Sequence, residues 1–188
     1  MRLILASASP RRADLLAAAG IPFETFAVPV DETPRAGEGA QEYALRVARD
    51  KARAAAARLP PGAPILAADT VVVAAGRLLG KPEDDADARG MLALLSGAVH
   101  EVHTAAVLLL SGEEQGEVVT TRVRFAPLTD EEIAWYVATG EPQGKAGAYA
   151  IQGRGSRFVE HIEGSWANVV GLPVAAVYRL LRRAGVIC

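Results

Sequence analysis

Arg2-Leu3-Ile4-Leu5-Ala6-Ser7-Ala8-Ser9-Pro10-Arg11-Arg12-Ala13-Asp14-Leu15-Leu16 is the stretch on which the reading of the chain turns. The apolar run 3–6 is strand length, and it leads at once into Ser9-Pro10, the form of an N-cap followed by a first helical residue. Leu15, Leu16 and Ala19 give that helix an apolar face, and Gly20 ends it. Strand, tight turn and helix in direct succession begin a layered α/β fold. The same turn collects two hydroxyls, the N–H groups of a helix start and two guanidiniums, which together suit an anion such as phosphate. An ordinary capped helix with solvated arginines would have the same sequence, and this stretch alone does not choose between them.

Outward from it, Phe23 to Val28 reads as a second strand, and a Pro-, Gly- and acid-rich loop from Pro29 to Gly39 leads into a long helix from about Ala40 to Arg58. The apolar stripe of that helix is Ala44, Val47, Ala48 and Ala55, and helical spacing places Lys51 on it, with Arg46, Arg49 and Arg53 elsewhere. Pro60, Pro61, Gly62 and Pro64 separate it from a strand-like run, Ile65 to Val73, interrupted by Asp69-Thr70. After Gly80-Lys81-Pro82 comes a helix with Asp84, Asp85 and Asp87 in its first turn and Ala88, Met91, Leu92 and Leu95 as its stripe. Val99 to Leu110 and Val118 to Phe125 alternate as the arms of a hairpin across a Gly112 to Gly116 turn. Thr129 and Glu132 form a capping box for a helix through Thr139, and Gly140 closes it. Gly147, Gly153, Gly155, Gly164 and Gly171 then mark an irregular segment, and a last helix from Pro173 carries Val174, Val177, Tyr178 and Leu181 on one face. The mixture predicts an α/β fold, a mixed twisted sheet flanked by helices, in a single bilobal domain over residues 1–188.

At 188 residues and 51% hydrophobic the chain can bury a substantial core. Its 20 Lys+Arg against 22 Asp+Glu leave a net charge of −2, so no general field draws nucleic acid. The one cysteine, Cys188, excludes an internal disulfide and suits a reducing compartment. The first apolar run is too short for a signal core or a bilayer span, and the expectation is a cytoplasmic protein with no membrane partner. Walker A, dinucleotide-fold and zinc-type patterns are missing from the sequence. His100, His103 and His161 are assigned to structure, and Ser7 and Ser9 lack a His/Asp relay.

The candidate chemistry centres on Asp69, an acid that the apolar run Ile65 to Ala68 delivers to a strand end, where surroundings can tune it as a base. An Asp in such a place also serves as a plain turn cap. Three lysines stand in special settings: Lys51 on an apolar helix face, Lys81 extended before Pro82, and Lys145 in a Gly-rich loop. Together they point to a polyanionic ligand, although snorkelling for Lys51 and solvation for Lys81 and Lys145 would account for each singly. Asp31 and Glu32, before the long helix, add carboxylates that with Asp69 suit a divalent cation.

These residues stand in motifs that resemble the Maf family, the septum-formation-associated nucleotide pyrophosphatases, almost from end to end. The motifs are Ser7-Ala8-Ser9-Pro10-Arg11-Arg12 with Leu15-Leu16, Asp31-Glu32-Thr33, Lys51-Ala52, Ala68-Asp69-Thr70-Val71-Val72, Gly80-Lys81-Pro82, Ser96-Gly97, His100-x-Val102-x-Thr104, Gly140-Glu141-Pro142, Lys145 through Gly153, and Gly164-Ser165 with Asn168 through Pro173. The resemblance implies two lobes around a deep cleft, as in Maf and ITPase-like proteins, a divalent cation (Mg²⁺ or Mn²⁺) and frequent homodimerisation. It also implies hydrolysis of a nucleoside triphosphate to the monophosphate and pyrophosphate. Asp69 would be the general base, with Glu32, Lys51 and Lys81 around the phosphates or metal, and Glu32 and Asp69 as the metal ligands. Ser7, Arg11, Arg12, Thr70, Lys145 and Gln152 would bind substrate. Arg12, Thr70 and Gln152 match the branch acting on dTTP and UTP, and a carboxamide can pair with the O4 acceptor and N3–H donor of thymine or uracil. Gly144 and Ala105 depart from the family pattern, where Asp and Gly are common. A nucleotidyltransferase, or a nucleotide-binding regulator of cell division, are the rival readings of the same residues.

Overall fold

The opening stretch folds as its pattern predicts. In this computed structural model, which describes residues 2–188, β1 (Leu3–Leu5) is buried throughout and leads into α1 (Pro10–Ala18). β1 pairs in parallel with β2 (Phe23–Thr25) on one side and with β3 (Ile65–Ala74) on the other. α2 (Ala40–Ala56) precedes β3, and β4 (Arg77–Leu79) returns antiparallel along it. There follow α3 (Asp85–Leu95), β5 (Val99–Leu110), β6 (Glu113–Phe125), α4 (Asp130–Ala138), β7 (Val159–Glu163), α5 (Trp166–Val170) and α6 (Val174–Arg183). The seven strands form one sheet in the order β2-β1-β3-β5-β6-β7, with β4 beside β3. Parallel and antiparallel pairs coexist in it, so the sheet is mixed and the fold is α/β.

The chain divides into two compact units. The first holds the residues up to Thr70, Thr104–Val119 and Gly171–Cys188; the second holds Val71–His103 and Thr120–Val170. The core of the first includes Leu5, Leu16, Leu66, Leu108, Leu172 and Leu181, all essentially without solvent exposure, and each such leucine contributes roughly 2 kcal/mol by leaving water. In the second, Phe125 meets Tyr149 edge-on at 4.8 Å and His100 at 5.1 Å, while Tyr136 meets Phe158 at 5.2 Å. Such edge-to-face contacts join ring edges to ring faces of opposite partial charge. Among the described residues no helix is long and apolar enough to cross a membrane.

Several local expectations are corrected. The hairpin turn is Ser111-Gly112 rather than Gly112 to Gly116, because both residues take positive φ, 52° and 86°, as a two-residue turn matched to strand twist requires. β6 therefore begins at Glu113. β2 stops at Thr25, and α2 at Ala56. On α1 only Leu16 and Arg12, one turn apart, are buried, and Ala19 is exposed. On α6 the buried stripe is Ala176, Val177, Leu180 and Leu181; Tyr178 points outward against Arg182. The Gly-rich segment read as irregular contains β7 and α5. They are fastened by Asn168, whose Nδ2 donates to Val102 O and Thr121 Oγ1, both at 3.0 Å.

Candidate active site

β3 presents the central pair. Successive strand residues face opposite sides of a sheet, so Asp69 and Thr70 turn different ways. Asp69 Oδ1 lies 2.6 Å from Lys51 Nζ, which arrives from α2. The same ammonium lies 2.7 Å from Glu32 Oε1. Lys51 thus bridges two carboxylates, with side-chain exposures of 12% for Lys51, 9% for Asp69 and 37% for Glu32. Its neighbours Ala44, Val47, Ala48 and Ala55 are fully buried, which is why the cation must find its counter-charges inward rather than in solvent.

The loop that carries Glu32 is tied to α2. Tyr43 Oη donates to the Glu32 carbonyl at 2.8 Å, and Arg46 grips Glu38 through Nε at 2.6 Å and Nη2 at 2.9 Å while also donating to Thr33 O. The Arg46 hydrogen bond, outweighing partial burial, draws the Glu38 carboxyl down to about 2. Burial, followed by the negative fields of Asp69 and Glu32, pushes the Tyr43 phenol up to about 12. Asp31 caps its own turn by accepting from Thr33 N at 2.9 Å.

Arg12 is buried as well. Its Nε donates to Gly171 O at 2.8 Å, Nη1 to Ser7 Oγ at 3.0 Å and Nη2 to Thr70 Oγ1 at 3.1 Å. Thr70 Oγ1 in turn shares a hydrogen bond with Thr104 Oγ1 at 3.0 Å. Desolvation lowers the Arg12 pKa; Asp69 and Glu32 oppose this, and Arg11 adds to it. Arg11, half-buried, is lowered by desolvation as well. Ser9 is the N-cap of α1, yet its side chain makes no cap bond; Ser7 Oγ instead accepts from Ser9 N at 3.2 Å. The first N–H groups of α1 are thereby not taken by the N-cap hydroxyl, the arrangement an anion would use.

The first unit therefore brings together Ser7, Arg11, Arg12, Glu32, Lys51, Asp69 and Thr70. Lys81, Lys145 and Gln152 belong to the second unit. There Gly147 N donates to Gly80 O at 3.0 Å, stitching the Lys81 segment to the Lys145 loop. Lys81 is exposed, and Lys145 Nζ donates to the carbonyl of Glu141. Gln152 is exposed on a turn between Ala150 and Gly153. Thr104 and Gly171, the partners of Thr70 and Arg12, escaped the sequence reading. Only their places in the motifs His100-x-Val102-x-Thr104 and Asn168 through Pro173 pointed to them.

Residues 2–184 match the family described as Maf-like protein. The chain belongs to the Maf family. It is 54% identical over 187 residues to the dTTP/UTP pyrophosphatase of Koribacter versatilis, an alignment covering 100% of this chain and 96% of the relative. It is 55% identical over 188 residues to the dTTP/UTP pyrophosphatase of Anaeromyxobacter dehalogenans, covering 98% and 94%. Among solved structures, the nucleoside-triphosphatase / dITP/XTP pyrophosphatase of Mycobacterium abscessus aligns at a TM-score of 0.48 and 18% identity, over 98% of each chain.

The Maf resemblance raises the question of a divalent cation. Among the described residues no group of three or more His, Cys, Asp or Glu could hold a metal. Asp69 and Glu32 nevertheless converge on one cationic centre, the Lys51 ammonium, at 2.6 and 2.7 Å. Two carboxylates, with phosphate oxygens to complete the shell, are the donor set that Mg²⁺ commonly uses. The residues fit the ion.

Proposed function

We propose that this Maf-family protein hydrolyses dTTP and UTP between the α- and β-phosphates, releasing the monophosphate and pyrophosphate. The observation that carries the reading is the Asp69–Lys51–Glu32 bridge, whose two acids act electrostatically on the buried Arg12. The curated relatives named dTTP/UTP pyrophosphatase, alike along the whole chain, support it.

In this reading Asp69 takes a proton from water, and the oxygen attacks the α-phosphorus. The α–β bridging bond breaks, and pyrophosphate leaves with the bond electrons. Lys51 holds both acids in place and neutralises charge gathering near them. Ser7, Arg11 and Arg12 serve the phosphates with hydroxyl and guanidinium donors. Lys81 and Lys145, in the second unit, are further candidate phosphate-binding cations. Asp69 and Glu32 would hold the divalent cation, whose contribution when bound is to offset charge on the phosphate oxygens. Gln152 reads the pyrimidine through one acceptor and one donor.

Asp69→Asn keeps the shape and removes the base. Turnover of dTTP should fall at least ~100-fold, with nucleotide binding retained. Pyrophosphate release at the rate of the unaltered protein would reject Asp69 as base. Product analysis with triphosphate and water alone, giving monophosphate and pyrophosphate, separates hydrolysis from transfer to an acceptor.

A further inference from the structure

The motif Gly140-Glu141-Pro142 has no part in the chemistry above, and the structure assigns it one. Glu141 follows α4 and turns its carboxylate onto the backbone just beyond Gln152. Its Oε1 accepts from Gly155 N at 3.0 Å, and its Oε2 from Arg154 N at 3.1 Å. Tyr136, one turn earlier on α4, donates its hydroxyl to Glu141 Oε1 at 2.8 Å. The same hydroxyl accepts from Ala150 N at 3.0 Å. Backbone amides on both sides of Gln152 therefore end on one phenol–carboxylate pair. Two glycines allow the approach: a Cβ on Gly153 would lie 2.5 Å from Glu141 Oε2, and one on Gly155 2.8 Å from Tyr136 Oη. Lys145 Nζ donates to the Glu141 carbonyl and so fixes the other side of the same residue.

We infer that Tyr136 and Glu141 are positioning residues for base selection: they clip the backbone at 150 and at 154–155 and thereby set the direction from which the Gln152 carboxamide meets the base. The physical need arises from the amide itself. Rotated by half a turn, it exchanges donor for acceptor and matches cytosine as well as it matched thymine or uracil. A clamped turn leaves the side chain free to rotate about its own bonds but limits the rotamers that reach the base, and so limits which of the two presentations is met. Tyr136 is buried and packed edge-on against Phe158, so the clip is anchored in the core of its unit rather than at the surface.

The inference rests on the reading of Gln152 as the base-recognising residue, and the test separates the two. The ratio of kcat/KM for dTTP over dCTP is measured for Gln152→Ala, Tyr136→Phe, Glu141→Gln and the double variant Tyr136→Phe/Gln152→Ala. Tyr136→Phe removes one oxygen and leaves the ring. It should lower the ratio about tenfold, the equivalent of one net hydrogen bond, and Glu141→Gln should do likewise. Added to Gln152→Ala, Tyr136→Phe should lower the ratio no further, since it acts through that side chain. Amide exchange at 150 and 154–155 should quicken in both single variants. If Gln152→Ala collapses the ratio while Tyr136→Phe leaves it unchanged, the clip is refuted and the reading of Gln152 stands. If Gln152→Ala itself leaves the ratio unchanged, both fall. An additive double variant also overturns the inference, because it makes Tyr136 merely structural. Should Glu141→Gln fail to fold, Tyr136→Phe and the double variant decide alone.

Discussion

Asp69 and Glu141 are two partly shielded carboxylates held in opposite ways. Asp69 ends on a side-chain cation that it shares with a second acid. Glu141 ends on two backbone N–H groups and a buried phenol. Backbone donors cannot move without unmaking the turn that carries them, so Glu141 is fixed along with its surroundings. Burial alone would raise its carboxyl, but the bonds from Arg154 N, Gly155 N and Tyr136 Oη more than offset this and leave it below the usual carboxylate range. A lysine on a long stem can release one acid and follow a ligand, which would leave Asp69 free for the proposed chemistry. The contrast matches the proposed roles, reaction for the first unit's carboxylate and shape for the second's.

The largest test of that contrast is Lys51→Met. It leaves Asp69, with a side chain only 9% exposed, beside Glu32 without their shared cation. Breaking a buried pair from one side costs about 3 kcal/mol or more, so the melting temperature should drop and dTTP turnover should be lost. A Lys51→Met protein that melts at the parent's temperature and turns over dTTP at the parent's rate would show that the ammonium holds neither acid.

Next in size is a pH effect in the second unit. His100 is buried, its Nε2 is 2.8 Å from Tyr149 Oη, and desolvation pulls its pKa from 6.5 to about 4. The folded state holds this ring neutral while the unfolded chain protonates it near 6.5. Its contribution is thus complete above pH 6.5 and is lost as pH falls toward 4, by up to about 3 kcal/mol. His100→Gln keeps a hydrogen-bonding atom for Tyr149 and cannot titrate in this window. The variant should lose less stability than the parent between pH 7 and 5; equal slopes in denaturant melts would remove His100 as the cause. His103, also lowered by burial against the opposing charge of Glu101, remains in both proteins.

What could be read in advance follows the range of the interactions. Lys51 was visible because helical spacing is local, and Asp69-Thr70 because polar residues interrupt an apolar run. Arg12 stands four residues before Leu16, so its burial was also legible in the helical period, yet its contacts were not: Gly171 lies 159 residues away and Thr70 58. The carboxylate clip was hidden for the same reason. Glu141 and Gly155 are joined only once α4 and the following turn fold back, and no periodicity marks a side chain that binds the backbone. β7 and α5 were missed because glycines that permit close packing read, in one dimension, as irregular loop. Lys145 was read as a phosphate cation from its Gly-rich setting, and its bonds to the carbonyls of Glu141 and Gln143 had no sign in the sequence.

The smallest expected effect concerns Arg46 and Glu38, which sharpen the comparison from the side of the Lys51 bridge. Their side chains are 15% and 11% exposed, and the pair joins α2 to the loop that brings Glu32 to Lys51. The Glu38 carboxyl is drawn from 4.5 to about 2. A depressed folded pKa gives stability that is present above pH 4.5 and lost as pH falls toward 2, so at neutral pH the pair is intact and acid merely loosens it. Glu38→Gln should therefore lower the melting temperature slightly at pH 7, where the pair is intact, and the difference from the parent should close as pH falls toward 2. It should flatten the loss of stability between pH 5 and 3, because the titrating group is gone. If the loop is held chiefly by this ion pair, the exchange of amides at 32–35 will quicken in the variant. If Tyr43 is the stronger tether, through its bond to the Glu32 carbonyl, Tyr43→Phe will produce that acceleration instead, and Glu32 will prove to be positioned by a phenol, as the turn at Gln152 is.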